Sequence, residues 1–191
     1  GHVPRDDLLA DAPKDPLALV ILVTYKEFGH LLTGGGKGRP KRRPMPKSVA
    51  SVLTTWFAAS AWRQPAIEGV GTGDLAALGL KADPEGRVLF PLRDGDGHVW
   101  AIRAIDGTGR RCDVGDSARP GLRHILDPSD RLDGPEPYAG TILLSTDAFA
   151  AAQLHTGTDH PAVLVGRDAD LPAEARTLKA RHPRAMIELL T

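Results

Sequence analysis

Apolar positions in the last third of the chain fall into short continuous runs separated by helix-spaced stripes. The run Ile142-Leu143-Leu144 lies in Thr141–Thr146, followed by Asp147 and a helical pattern that begins near Ala148. A short, wholly apolar run bounded by polar residues predicts a strand buried on both faces. A second unit follows at once. It has a strand at Ala162–Val165, a turn at Gly166-Arg167-Asp168, a helix from Leu171 to about Arg181 and a strand at Ala185–Leu190. The strand–helix–strand–helix–strand order predicts parallel strands joined by right-handed crossovers. Ligands and catalytic groups collect at the carboxyl ends of such strands, so Ser145, Thr146 and Asp147 mark the candidate corner.

The pattern differs upstream. Asp15-Pro16 predicts a helix start, and Leu17, Val20, Ile21, Tyr25, Phe28 and Leu32 follow at helical spacing up to Gly34-Gly35-Gly36. Ser48 is the expected cap of a second helix, Val49–Trp62, with Val49, Val52, Leu53, Trp56, Phe57 and Ala61 as its apolar stripe. A short helix is expected at Asp74–Leu78, closed by Gly79. Then the period changes to that of strands. Val88–Leu92 and Val99–Ile105 flank an Asp-Gly-rich hairpin signal, Asp106-Gly107-Thr108-Gly109 turns into Arg110–Val114, and Leu122–Leu126 is a further strand. No internal repeat is expected.

Charge changes this picture at one place. The chain of 191 residues is neutral overall, with 24 Lys+Arg and 24 Asp+Glu, so it carries no global signature of polyanion binding. The cations are unevenly placed, however. Residues 33–47, TGGGKGRPKRRPMPK, hold six of them (Lys37, Arg39, Lys41, Arg42, Arg43 and Lys47) and no acid. Such a Gly/Pro-rich segment cannot build a packed element and reads as an exposed arm. Two readings stand for it: a solvated linker, or a phosphate-neutralising arm whose grip weakens with salt. Residues 17–23, LALVILV, are too few to cross a bilayer. The lone Cys112 excludes an internal disulfide or a cysteine zinc cage, and suits a reducing cytoplasmic setting.

Other motif-like strings dissolve on inspection. A phosphate-binding loop ending at Lys37 needs glycine where Leu31 stands and Ser or Thr where Gly38 stands. Gly115-Asp116-Ser117 follows a meander strand, whereas a serine nucleophile belongs on a strand-to-helix turn. The seven histidines show no metal-ligand spacing. Asp94, Asp96 and Asp106 suit turns. Trp56 and Trp62, at helical spacing, are expected in the core, with base stacking as their other use.

Taken in order, these segments resemble the Toprim-bearing primase proteins of plasmids, phages and integrative elements. VLFPLRDGDGHVWAIRAIDGTGRR carries the meander signature at Pro91, Arg93-Asp94, Gly97, Trp100, Ile105-Asp106, Gly107 and Arg110-Arg111. ILLSTDAFAAAQLH carries the strand-to-helix signature, with Ala151-Ala152 and Leu154-His155 in register. PAVLVGRDADL and LKARHPRAMIELL resemble the following strands and helix, and the resemblance covers roughly residues 75–191. It implies a glutamate at the end of the first parallel strand as general acid/base, and an Asp-x-Asp after the third strand that binds Mg²⁺. Thr146 stands at the glutamate position, and Asp147 at the glycine after it. The Asp-x-Asp would fall at or just past Thr191. A neutral hydroxyl replaces a carboxylate neither as proton carrier nor as hard-cation ligand.

The expectation is therefore an α/β chain, α+β overall, with a Toprim-like parallel sheet preceded by an antiparallel β meander and a helical N-terminal part. Its expected divisions are 1–47 (helix and basic arm), 48–80 (helical) and 81–191 (meander plus Toprim-like unit). Its expected role is a non-catalytic, DNA-associated module of a conjugation or replication protein, a piece of a larger relaxase or primase. Single-stranded DNA would meet the six arm cations, and other domains or conjugation proteins are further partners. Thr146, Asp147 and Asp168 form the degenerate corner, without cofactor. One alternative is Mg²⁺-dependent phosphoryl transfer with Asp147, Asp168 and Asp170 as substitute ligands. Another is a protein-docking domain of a conjugation or secretion assembly.

Overall fold

The computed structural model describes Phe28 and residues 47–190, with side chains from Ser51 onward. The predicted helix at 16–32 is met only at Phe28, which is helical and buried. The rest of that helix and the arm cations Lys37, Arg39, Lys41, Arg42 and Arg43 lie outside the described residues.

The compact unit Pro44–Thr191 is built on one eight-stranded mixed sheet. Its strands are β1 (Lys81–Ala82), β2 (Val88–Arg93), β3 (Val99–Ile105), β4 (Arg111–Gly115), β5 (Arg123–Leu126), β6 (Thr141–Ser145), β7 (Ala162–Val165) and β8 (Met186–Leu190). Four helices accompany them: α1 (Lys47–Ala58), α2 (Thr72–Ala77), α3 (Ala148–Thr158) and α4 (Leu171–Arg181). The sheet order is β4-β3-β2-β5-β7-β6-β8, with β1 on β2. β2, β3, β4 and β5 run antiparallel to their neighbours, and β7 and β8 flank β6 in parallel.

β6 lies between its two parallel partners, so the crossovers through α3 and α4 run in opposite directions along the sheet. Right-handed connections of that kind place their helices on opposite faces, and the core divides accordingly. Leu143, Ala162 and Leu164 pack in one cluster with Ala148, Ala151 and Ala152 of α3, and with Leu75 and Leu78 around α2. Ile142, Leu144, Val163 and Val165 pack in another with Leu178 of α4. The strict period of two along β6 and β7 puts alternate side chains on the two faces, each burial contributing about 1.5–3 kcal/mol. Leu80, Phe90 and Leu92 belong to the α3-side cluster, so segments 48–80 and 81–191 share one core.

Two expectations about the second helix change. It begins at Lys47, so Ser48 lies inside the first turn, and it ends at Ala58 rather than Trp62. The early end has a non-local cause. Ser60 N donates to Ala82 O at 2.9 Å and Ala82 N donates to Ser60 O at 2.9 Å, a one-residue bridge to β1 that draws the chain out of helix. Trp56 is buried at 7% exposure, but Trp62, beyond the bridge, is 78% exposed and Phe57 53%. Trp62 and Phe57 are therefore not core residues.

The chain also contains a local repeat that was not expected. Asp83, Asp94 and Asp106 each open a turn with glycine three residues on, at Gly86, Gly97 and Gly109, all at positive φ. In each, the aspartate N–H bonds the carbonyl four residues on and the glycine N–H returns to the aspartate carbonyl. One aspartate Oδ1 accepts the N–H groups two and four residues later. This is the three-residue hairpin loop with glycine in the left-handed position. Glycine is required for another reason at Gly115, where β4 meets α1. There φ is +96°, and a Cβ would lie 2.4 Å from Val52 Cγ2 and 2.6 Å from Trp100 O.

Candidate functional site: the carboxyl ends of β6 and β7

Ser145 ends β6 fully buried. Its hydroxyl donates to Leu190 O on β8 (3.0 Å) and accepts from Asp147 N (2.9 Å). That turn presents Thr146 to the half-exposed rim, where its Oγ1 donates to Asp168 Oδ1 at 2.5 Å. Asp147 is directed elsewhere. It is the N-cap of α3, with Oδ1 accepting from Phe149 N (2.8 Å) and Ala150 N (3.2 Å). Asp170 is held by Arg167 Nε (2.9 Å) and Nη2 (2.7 Å) and by Gly121 N (3.1 Å). The Arg167 hydrogen bonds keep its carboxyl below the usual range. Arg167 also donates to Ala118 O at 2.8 Å, tying the loop after β4 to the rim.

Beneath the rim lies a residue that sequence reasoning missed. Arg103, on β3, is 0% exposed. Its Nε donates to Asp113 Oδ1 (3.0 Å) and its Nη2 to Asp113 Oδ2 (3.1 Å) and Gly166 O (2.7 Å). Its Nη1 donates to Thr146 O (3.0 Å) and Val165 O (3.3 Å). All five guanidinium N–H groups are thus used. Asp113 is the ladder partner of Arg103 on β4. Burial pushes its carboxyl up, but the bonds from Arg103 and Arg111 outweigh this and hold it below its ordinary value. The sequence signal was an arginine inside the otherwise apolar VWAIRAI, since a buried charge requires a partner.

Of the sequence-predicted site residues, the fold brings Thr146 and Asp168 together, and turns Asp147 and Asp170 to other partners. The substitute Mg²⁺ ligand set does not fit. Asp147 caps a helix, Asp170 is ion-paired, and the remaining carboxylate, Asp168, accepts the Thr146 proton. A buried guanidinium 3.0 Å from Thr146 O also places positive charge against this corner. Among the described residues, one group of metal-ligating side chains is clustered, Asp94, Asp96 and His98. It belongs to the second Asp-Gly turn, where Asp94 already accepts from Asp96 N, His98 N and Trp100 Nε1. Lys47 begins α1, and the other five arm cations lie outside the described residues.

No family model matches the chain, and no curated protein does. Among solved structures, the primase fragment of the bacteriophage T7 primase–helicase protein is similar, with 13% identity and a TM-score of 0.48 over 81% of this chain. This chain spans 62% of that fragment's length. No helix among the described residues is long and apolar enough to cross a membrane.

Proposed function

We propose that this chain is a Toprim-like, catalytically silent module that associates with single-stranded nucleic acid within a conjugation or replication protein of a mobile element. One observation carries the silent part. At the strand ends, where Toprim chemistry needs an ionised acid, the chain places Thr146, and the carboxylates around it are engaged in capping, ion pairing and accepting its hydroxyl. The motif order of residues 75–191 supports the family reading. The six cations at 37–47 supply the phosphate contacts, and the exposed Trp62 offers a face on which a base can stack.

The test is fluorescence anisotropy of a labelled single-stranded oligonucleotide at rising salt. Affinity should fall steeply with salt. It should be lost when Lys37, Arg39, Lys41, Arg42, Arg43 and Lys47 become Ala, and fall by about 1–3 kcal/mol for Trp62→Ala. No detectable binding at low salt, or binding indifferent to the six substitutions, rejects the nucleic-acid role.

A further inference from the structure

β3 carries a bulge at Trp100. Leu92 pairs with Ala101 and Arg93 with Val99, so Trp100 has no ladder partner on β2. A bulge re-aims the side chain of its extra residue. The indole is fixed twice here: Nε1 donates to Asp94 Oδ2 at 2.7 Å, and the ring packs against the α3-side core. Arg119 lies over the ring, its Cζ 3.7 Å from the centroid. A carbon that close leaves no room for an attached nitrogen to point at the ring. The guanidinium is therefore stacked, with its N–H groups around the perimeter.

The loop that delivers Arg119 is held by four hydrogen bonds. Asp116 N donates to Trp100 O (3.1 Å) and Arg119 N to Asp116 O (3.3 Å). Arg167 Nη1 donates to Ala118 O (2.8 Å), and Gly121 N to Asp170 Oδ2 (3.1 Å). Pro120 restricts the backbone of Arg119 further. Arg103, Arg111 and Arg167 each hold an aspartate. Arg119 is partly buried, and among the described residues its guanidinium meets neither an acid nor a hydrogen-bond acceptor. Asp116, exposed in the same loop, is not ion-paired with it. A cation already positioned, with one face against an indole and its donors unspent, loses little freedom when an anion binds.

We infer that the Arg119–Trp100 stack is a phosphodiester contact for single-stranded nucleic acid, carried by the sheet domain and additional to the basic arm. This rests on the nucleic-acid reading proposed above and adds a named residue to it. The planar fork of Arg119 takes two oxygens of one phosphate. Such a contact positions a strand and reads no sequence.

The experiment is anisotropy of a labelled oligothymidylate with the whole chain across a salt series. The logarithm of affinity falls linearly with that of salt, by about 0.7 per phosphate neutralised on a single strand. Arg119→Gln should weaken binding about tenfold at low salt and make the slope shallower by about 0.7. Arg119→Lys should keep the slope but lose part of the affinity, because an ammonium retains the charge without the fork. Arg176→Gln, on α4 and bonded only to Pro172 O, should change neither. Thermal melting checks that each variant is folded. If Arg119→Gln fails to fold, the lysine variant decides, and native affinity in it overturns the inference. An unchanged slope in Arg119→Gln, while the native chain binds, overturns the phosphate contact and leaves the nucleic-acid reading standing. Displacement of the oligonucleotide by an oligoglutamate peptide, with the same dependence on Arg119, would assign the stack to an acidic protein partner instead. No binding by the native chain rejects the contact and the nucleic-acid reading together.

Discussion

Replacing Arg103 by methionine keeps much of the side-chain volume and removes every polar contact beneath the rim. Three main-chain carbonyls, of Thr146, Val165 and Gly166, lose their guanidinium donor, and Asp113 keeps only Arg111. Breaking one partner of a buried charge pair costs about 3–5 kcal/mol, and each stranded buried acceptor about 1–3 kcal/mol. Arg111 is 48% exposed and keeps Asp113 partly satisfied, so the lower range applies, about 3–4 kcal/mol. Arg111→Ala removes a screened pair and should cost under about 1 kcal/mol. Urea denaturation followed by circular dichroism measures both. A double variant, Arg103→Met with Asp113→Leu, should recover part of the loss, because an apolar pair strands no charge. If Arg103→Met costs less than about 1 kcal/mol, the clamp does not join the meander to the parallel strands as described.

Three further outcomes follow from named groups. The folded pKa of His124 is lowered to about 3, so as pH falls the unfolded chain takes up this proton first. Stability is then complete above about pH 6.5 and declines toward pH 3 at about 1.4 kcal/mol per unit. Urea titrations at pH 7 and 5 should differ by about 2 kcal/mol more in the native chain than in His124→Gln. Burial also lowers the His182 pKa, so a smaller slope of the same sign should remain in that variant. Gly115→Ala meets both a left-handed backbone and overlap with Val52 and Trp100, and should cost about 2–4 kcal/mol in the same assay. Asp147→Ala removes the α3 cap and should cost about 1 kcal/mol, read as a lower melting temperature with no other change in fold.

Where the sequence was legible, local pattern and tertiary demand agreed. Val99–Ile105, Ala162–Val165 and Leu171–Arg181 have the same limits in the structure as in the period of their apolar residues. The start of α3 at Ala148 and the parallel order of the last three strands follow from the same kind of reasoning. Trp62 was misplaced because the helix end is set by the Ser60–Ala82 bridge, whose partner is distant in sequence. The Asp-x-x-Gly turns at 83, 94 and 106 share too few letters to stand out as a repeat, although their hydrogen bonds are the same. Arg103 was hidden for a deeper reason. Its carbonyl partners lie 43 to 63 residues further along the chain, a relation that no spacing rule contains. The same limit governs the carboxylates at the rim. Sequence places Asp147, Asp168 and Asp170 near two strand ends, but only the fold distinguishes capping, ion pairing and hydroxyl acceptance from convergence on an ion.

The central claim is that this corner is committed to structure, with no vacant ligand set. It is tested most directly by titrating the whole chain with Mg²⁺ while following backbone amide resonances. The account predicts no saturable shift at residues 145–150 or 166–171. Saturable shifts at both segments together, with a common dissociation constant, would place a metal between Asp147 and Asp168 and contradict it.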